Sequence, residues 1–395
     1  MKIEYINNNP LNGIVYDFDK INKLYKSLGC PKNVYNPCHI PFEKTKWNII
    51  MSDRSRGKTT NILLWGMCLY WLYDIGMCYI RSSTGMITVG NVGRLFNTIK
   101  EWNYVEKITG GEYNDIIYKT NKHEWYLVRY NEEGDIEKED IRPFCMALST
   151  DQNEKYKSTL ATTNDFIIYD EFIERVYSPS MFLSLVDLIK TIGRDRQSLI
   201  ICALSNTIDK YSPFFQEWDI SDVVEEMTMG ERVVTSTTFG TPFFIEIIGE
   251  KIGKEKEKAT VVNRLYYGFK NPKLASITGV ATWAMYNYPH TPEKFKIIEK
   301  NHYISYNDKL INLEICESTD HRLFINCHFA TKTYDDSVIY SADFSTDINR
   351  RYLLGHTKKD LWLWSLYKKN LFTFANNSVG SLVEKYYDMC KKGLR

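Results

Sequence analysis

Two short groups of residues in this chain have the types and the order that phosphate chemistry needs. The first is Gly57-Lys58-Thr59-Thr60, which closes the stretch WNIIMSDRSRGKTT from Trp47 to Thr60. An apolar run, a polar turn and a helical pattern follow one another there, the order in which a phosphate-binding loop is built. In such a loop backbone N–H groups cradle the phosphates, a lysine reaches the β/γ oxygens, and the next hydroxyl ligates Mg²⁺. Lys58 and Thr59 fill those two roles, with Ser52, Arg54, Ser55, Arg56, Gly57 and Thr60 lining the loop around them. The strict spacing asks for glycine where Ser52 stands, so Ser52 is expected to adopt a backbone usually left to glycine.

The second group ends the run Phe166-Ile167-Ile168-Tyr169-Asp170-Glu171. A buried strand closing on two acids delivers both carboxylates to the carboxyl edge of a sheet, beside the phosphates. Asp170 is then expected to hold Mg²⁺ through water, and Glu171 to orient and deprotonate the attacking water. Ser198 to Leu204 is another buried strand, and Asn206 at its tip either contacts the γ-phosphate or caps the following turn. Behind a helical segment comes the charged turn Gly193-Arg194-Asp195-Arg196. Its arginines are candidates for a finger that stabilises transition-state charge, against the commoner reading of surface arginines at a helix end.

Positioning these groups requires strands that alternate with helices. Thr59 to Tyr73 reads as a buried helix, Met77 to Ser82 as a strand, and Gly90 to Trp102 as a helix. Tyr113 to Tyr130 is hairpin-like with a charged tip at Asn131 to Asp140, Phe144 to Leu148 is a strand, and Leu183 to Ile192 a helix. The pattern predicts an α/β nucleoside-triphosphatase core with a mostly parallel sheet covered by helices on both faces. Residues 1–46 read as a turn-rich leader, in which Tyr35-Asn36-Pro37 either packs near a bound base or is a loop proline anchored by its aromatic neighbour. Residues 1–210 then form the ATPase domain, 211–240 a helical linker, and 241–395 a closing domain of several strands followed by helices near Lys359 to Lys368 and Ser378 to Lys392, an α+β pattern.

Composition narrows the class. At 395 residues and a net charge of +1, a polyanion partner would need a local basic surface, or one built when several copies assemble. Nine cysteines, with no C-x-x-C pair, fit a reducing compartment with buried thiols better than a disulfide framework or a zinc site. The opening MKIEYINNNP has no apolar signal core. Ile62 to Ile80 approaches the length of a membrane span, but Asp74 and Gly76 break it into a buried helix and a strand.

Taken together, Tyr35-Asn36-Pro37, the GKTT loop, Lys157-Ser158, Tyr169-Asp170-Glu171-Phe172, Arg194-x-Arg196 and Leu204-Ser205-Asn206 resemble the DNA-packaging ATPases of small tailed phages of the phi29 type, relatives of the large terminases. The resemblance implies an ASCE-type P-loop core, of RecA-like form, joined by a linker to a small RNase H-like domain. It implies a homo-oligomeric ring of five copies at the portal of an empty procapsid, in the host cell cytoplasm. There the ring would use ATP and Mg²⁺ to move double-stranded DNA inward, with a structural RNA as a further partner and no membrane. Lys58, Thr59, Asp170 and Glu171 carry over onto the ATP chemistry, Arg194 as the finger supplied in trans with Arg196 close by, Arg54 as a basic loop residue, and Lys157 as a residue acting across the subunit interface.

Many large terminases also cut DNA, which needs acids clustered around two metal ions. Glu314, Glu317, Asp320 and Asp343 are the acids available, and none is an Asp embedded in a buried first strand. A non-cleaving domain that binds DNA, portal or RNA is therefore expected, with Arg350, Arg351, Lys358 and Lys359 as contacts. The alternatives are a terminase with an active nuclease and a nucleotide-binding scaffold that does not hydrolyse. A scaffold has no need of Glu171.

Overall fold

The computed structural model describes residues 15–31, 34–52, 56–152, 164–173, 179–194, 196–206, 209–210, 212–249, 288–306, 309–341, 350–351 and 357–393. Ten strands form a first sheet: β1 (Trp47–Met51), β2 (Met77–Arg81), β3 (Asp115–Lys119), β4 (Glu124–Tyr130), β5 (Ile136–Glu139), β6 (Cys145–Ser149), β7 (Phe166–Asp170), β8 (Ile200–Ser205), β9 (Arg232–Ser236) and β10 (Pro242–Ile247). Their order is β3-β4-β6-β2-β7-β8-β1-β10-β9, with β5 on β4. From β6 through β10 the neighbours are parallel, and the antiparallel strands sit at the flanks. This is the expected α/β core.

Helix Lys58–Tyr73 explains the apolar run that mimics a membrane span. One side lies on the sheet, where a Cβ at Gly66 would come within 2.3 Å of Met77 Sδ and 2.8 Å of Phe166. The other side is covered by helix Phe18–Ser27, through a Trp65 Nε1 bond to Asn22 Oδ1 (2.9 Å) and Phe18 stacked on Trp65. A helix buried on both sides must be apolar all round. Among the described residues no helix is long and apolar enough to cross a membrane.

Several expected elements are corrected. The turn-rich leader contains the amphipathic helix Phe18–Ser27, started by Asp17, whose side chain accepts from Lys20 N at 3.0 Å. The helix expected over Gly90 to Trp102 is broken into Val89–Val92 and Asn97–Glu101, and a further helix, Tyr104–Thr109, follows through left-handed Asn103 (φ 55°). The stretch expected as a helical linker over 211–240 carries both helix and strand among its described residues. After the short helices Pro213–Glu217 and Ser221–Glu226 the chain enters β9, and β10 pairs in parallel with β1, Ile49 opposite Ile245. The first sheet thus runs through Ile247, past the boundary expected at residue 240. The reason is local: β1 is central and buried, so the apolar strand PFFIEI closes its open edge, and β9 then covers β10.

Six further strands form a second sheet: β11 (Phe295–Tyr306), β12 (Lys309–Ser318), β13 (Leu323–Ala330), β14 (Val338–Ser341), β15 (Arg350–Arg351) and β16 (Phe372–Phe374). β11 to β13 are an antiparallel meander, while β14 runs parallel to β11, β15 to β14 and β16 to β13. Ile304, Leu313, Ile325 and Tyr340 pack with Leu363, Val383 and Tyr387 of helices Lys358–Lys368 and Asn377–Gly393 in a core of their own. An α+β unit therefore follows the first sheet.

Candidate active site

The loop expected to bind phosphate is built at the carboxyl end of β1. Ser52 N donates to Ser205 O at 3.1 Å, so Ser52 prolongs the β1–β8 ladder. It is not among the residues of positive φ, and the glycine-like backbone expected of it is not taken. Gly57 carries that conformation instead (φ 72°), where a Cβ would meet Asn61 Nδ2 at 3.0 Å and Val34 Cβ at 3.3 Å. Gly57 caps helix Lys58–Tyr73, whose first N–H groups then open toward the loop, and Thr60 lies in its first turn. Asn61 fixes this start by donating to Gly57 O (2.8 Å) while accepting from Tyr25 OH (2.6 Å).

Arg56 and Tyr35 both take protein partners. Arg56 Nη2 donates to Gly249 O at 2.7 Å, and Arg56 O accepts from Tyr35 N at 2.8 Å. Tyr35 is buried, its hydroxyl donating to Glu246 Oε2 at 2.8 Å, so it braces the loop from behind rather than facing a base. Glu246 also meets His39 Nε2 and Arg232 Nε, each at 2.7 Å. Burial pushes the Glu246 carboxyl up, but these partners outweigh burial and hold it below the ordinary glutamate value. Arg54, Ser55 and Lys157 lie outside the described residues.

The remaining groups converge on the carboxyl edge of β2, β7 and β8. Lys58 Nζ donates to Ser52 Oγ (2.7 Å) and to Asn206 Oδ1 (2.8 Å). Thr59 Oγ1 lies 3.3 and 3.5 Å from the two Asp170 carboxylate oxygens, and Asn206 Nδ2 reaches Glu171 Oε1 at 3.3 Å. Glu171 turns off the end of β7 in the left-handed region (φ 56°). Such a backbone in a glutamate is strained, and strain of this kind concentrates at functional sites.

Tyr79 and Arg81, at the end of β2, complete the cluster and were not foreseen from the sequence. Tyr79 OH donates to Asp170 Oδ2 at 2.7 Å. Arg81 pairs Nη2 with Glu171 Oε2 and stands 3.8 Å from Asp170 Oδ2. The available signal was the arginine that closes the otherwise apolar strand MCYIR beside the acidic one. Burial pushes the Asp170 carboxyl above its usual range and Glu171 adds to this; Arg81, Tyr79 and Lys58 work against it. Thr59 and Asp170, facing each other beside a helix N-terminus, are hard oxygen donors of the kind that would hold Mg²⁺.

The two arginines of the charged turn separate. Arg194 ends helix Pro179–Gly193 and is exposed. Arg196 is about a tenth exposed and bonds Asp165 Oδ1 through Nε (2.7 Å) and Nη2 (2.6 Å). Asp165 precedes β7, at the amino edge of the parallel strands. The rise of an extended chain sets it roughly 16 Å from Asp170. Arg196 is thereby corrected from candidate finger to buried ion-pair partner.

No family model matches the chain, and no curated protein does. Among solved structures, the bacteriophage phi-29 viral genome packaging motor assembly is similar over 91% of this chain and 100% of that chain, with a TM-score of 0.58 and 15% identity. The phi-28 gp11 DNA packaging motor is similar over 91% of this chain and 99% of that one, at 0.54 and 14%. The chain has the fold of these phage packaging motors. At such identities the likeness speaks for the fold, and the packaging-motor resemblance read from the motifs is met at that level. The residue roles rest on the geometry above.

In the second sheet of this packaging-motor fold the described acids Glu314, Glu317 and Asp320 each take a partner of their own. Glu314 accepts from Asn326 Nδ2 (2.8 Å) and lies 3.3 Å from His328 Nε2; Glu317 meets His321, and Asp320 pairs with Arg322. Among the described residues no three His, Cys, Asp or Glu side chains are grouped to hold a metal ion. Lys358 opens its helix, and Lys359 Nζ pairs with Glu299 at 2.7 Å. Asp343 and the side chains of Arg350 and Arg351 lie outside the described residues.

Proposed function

We propose that this protein is a viral DNA-packaging motor ATPase that couples ATP hydrolysis to translocation of double-stranded DNA into a procapsid. The observation that carries the reading is the meeting of Lys58, Thr59, Asp170, Glu171 and Asn206 at one sheet edge, although they come from three separate stretches of sequence. The N–H groups that open helix Lys58–Tyr73 and the Lys58 ammonium bind the phosphates. Glu171 orients the attacking water and takes its proton, while Asn206, bonded to both Lys58 and Glu171, links the occupied phosphate site to the base. Mg²⁺, held by Thr59 and Asp170, would neutralise charge on the phosphate oxygens.

Arg194 serves the site of the next subunit. It ends a helix that leaves the carboxyl edge after β7 and returns to the amino edge before β8, so it cannot meet its own Lys58, but in a ring it can meet a neighbour's. The assembly is a homo-oligomeric ring, taken as a pentamer, at the portal of the procapsid in the host cytoplasm. It grips DNA mainly through phosphates, hence with little sequence preference. Residues 1–249 act as the motor domain and the second sheet with its helices as a non-cleaving, RNase H-like accessory domain that contacts DNA, portal or a structural RNA.

Mixing rings tests this. Glu171→Ala subunits cannot hydrolyse but still offer Arg194, and Arg194→Ala subunits offer nothing but keep their own site. Each variant alone should be inactive and a mixture should regain DNA-stimulated hydrolysis; mixed rings that remain inactive would refute the trans finger.

A further inference from the structure

The Asp165–Arg196 pair lies away from the phosphate groups yet is built with unusual care. Arg196 offers Nε and Nη2 to Asp165 Oδ1, and Nη2 also donates to Ile192 O at 3.0 Å. Asp165 Oδ2 accepts from Ser198 Oγ and from Tyr16 OH (3.1 Å), while its backbone carbonyl accepts from Ile200 N at 2.9 Å. One buried carboxylate therefore ties together the start of β7, the start of β8 and the end of helix Pro179–Gly193.

Between Ile192 and Arg196 the chain makes a tight exit. Arg194 N donates to Lys190 O and Arg196 N to Gly193 O, both at 2.9 Å, and Arg194 takes a positive φ of 43°. A non-glycine residue holds such a backbone only when its surroundings over-determine it. The fork from Arg196 to both Ile192 O and Asp165 supplies that constraint, and leaves Arg194 as the exposed side chain at the crest of the turn. A buried pair of this kind is weak evidence for net stability; here its fork fixes the turn that carries Arg194.

We infer that Asp165 and Arg196 are positioning residues that aim Arg194 of one subunit at the nucleotide site of the next. The inference rests on the trans-finger reading above and adds to it the part of the chain that sets the finger's direction. Asp165 touches no reacting group of its own subunit, so its loss should harm the site it serves next door and spare its own.

The test uses full-length protein in mixed rings with DNA present. Rings of Asp165→Asn alone should lose at least about 100-fold in turnover, short of the full loss of a finger. Mixing with Lys58→Ala subunits, which are inactive but carry an intact turn, should restore hydrolysis, because the Asp165→Asn subunits keep a working site. Mixing with Arg194→Ala subunits should restore nothing. Wild-type turnover of Asp165→Asn alone, beside inactive Arg194→Ala, would overturn the positioning role only, whereas wild-type turnover of Arg194→Ala would overturn the finger reading itself. An Asp165→Asn protein that no partner rescues has lost its own site as well, and that outcome also overturns the proposal.

Discussion

Lys58 Nζ donates a hydrogen bond to Asn206 Oδ1 across 2.8 Å, joining the phosphate loop after β1 to the tip of β8. The same Asn206 amide donates to Glu171 at 3.3 Å, so the lysine proposed to bind phosphate and the proposed base share one side chain. Asn206→Ala is expected to lower kcat by about 100-fold with a smaller change in ATP affinity, since it removes orientation rather than phosphate contacts. Steady-state hydrolysis and equilibrium binding of the nucleotide separate the two effects.

Arg81 is the cation facing Asp170 and Glu171, and its charge lowers the Asp170 carboxyl against the upward push of burial. Arg81→Met removes the largest part of that opposition and leaves Tyr79 and Lys58. The Asp170 carboxyl then rises further, and the acid limb of the pH–rate profile should move to higher pH. A limb that stays in place, or moves to lower pH, contradicts this account of the cluster.

Asp170 binds its proton more tightly in the fold than in the unfolded chain, because its carboxyl lies above the ordinary 3.8. Above the folded value, the ionised group therefore costs stability. Asp170→Asn should raise the thermal midpoint at pH 7 without nucleotide while abolishing hydrolysis, the trade expected where a site is kept at the expense of the fold. Thermal unfolding of both proteins at that pH decides it.

Much of this arrangement was legible in the residues. The GKTT loop, the acidic end of β7 and the tip of β8 announce themselves because buried parallel strands are continuous apolar runs that stop abruptly at chemistry. The second sheet was legible as several short strands with two closing helices. What escaped depends on partners remote in sequence. Arg56 looks like a loop cation until Gly249 claims it, and Tyr35 like a base contact until Glu246 does. Arg194 and Arg196 are equivalent in the sequence and become distinct only when Asp165 takes one of them. The first sheet's reach past residue 240 was hidden for the same reason, since the strand that follows pairs with β1 far upstream.

Glu246 connects β10 to the leader through Tyr35 and His39 and to β9 through Arg232. Its carboxyl is held below the ordinary 4.5, so its contribution to stability is present above that pH and is lost as pH falls through the folded value. Glu246→Gln should cost about 1 kcal/mol at pH 7, because its partners Arg232 and His39 are partly exposed and screened. The gap from the parent protein in urea denaturation should narrow in acid below the ordinary glutamate value, and a gap that widens there contradicts the assignment.

The central claim is that the loop around Lys58 and the acids at the end of β7 form one ATP-hydrolysing site. Phosphate release from ATP by the purified protein, with and without double-stranded DNA and procapsids, tests it most directly when Lys58→Ala is measured beside it. The account predicts hydrolysis by the parent protein that rises with DNA and procapsids, and a fall of at least about 1,000-fold in the variant. Equal hydrolysis by the two proteins, or none by the parent under any of these conditions, would contradict it.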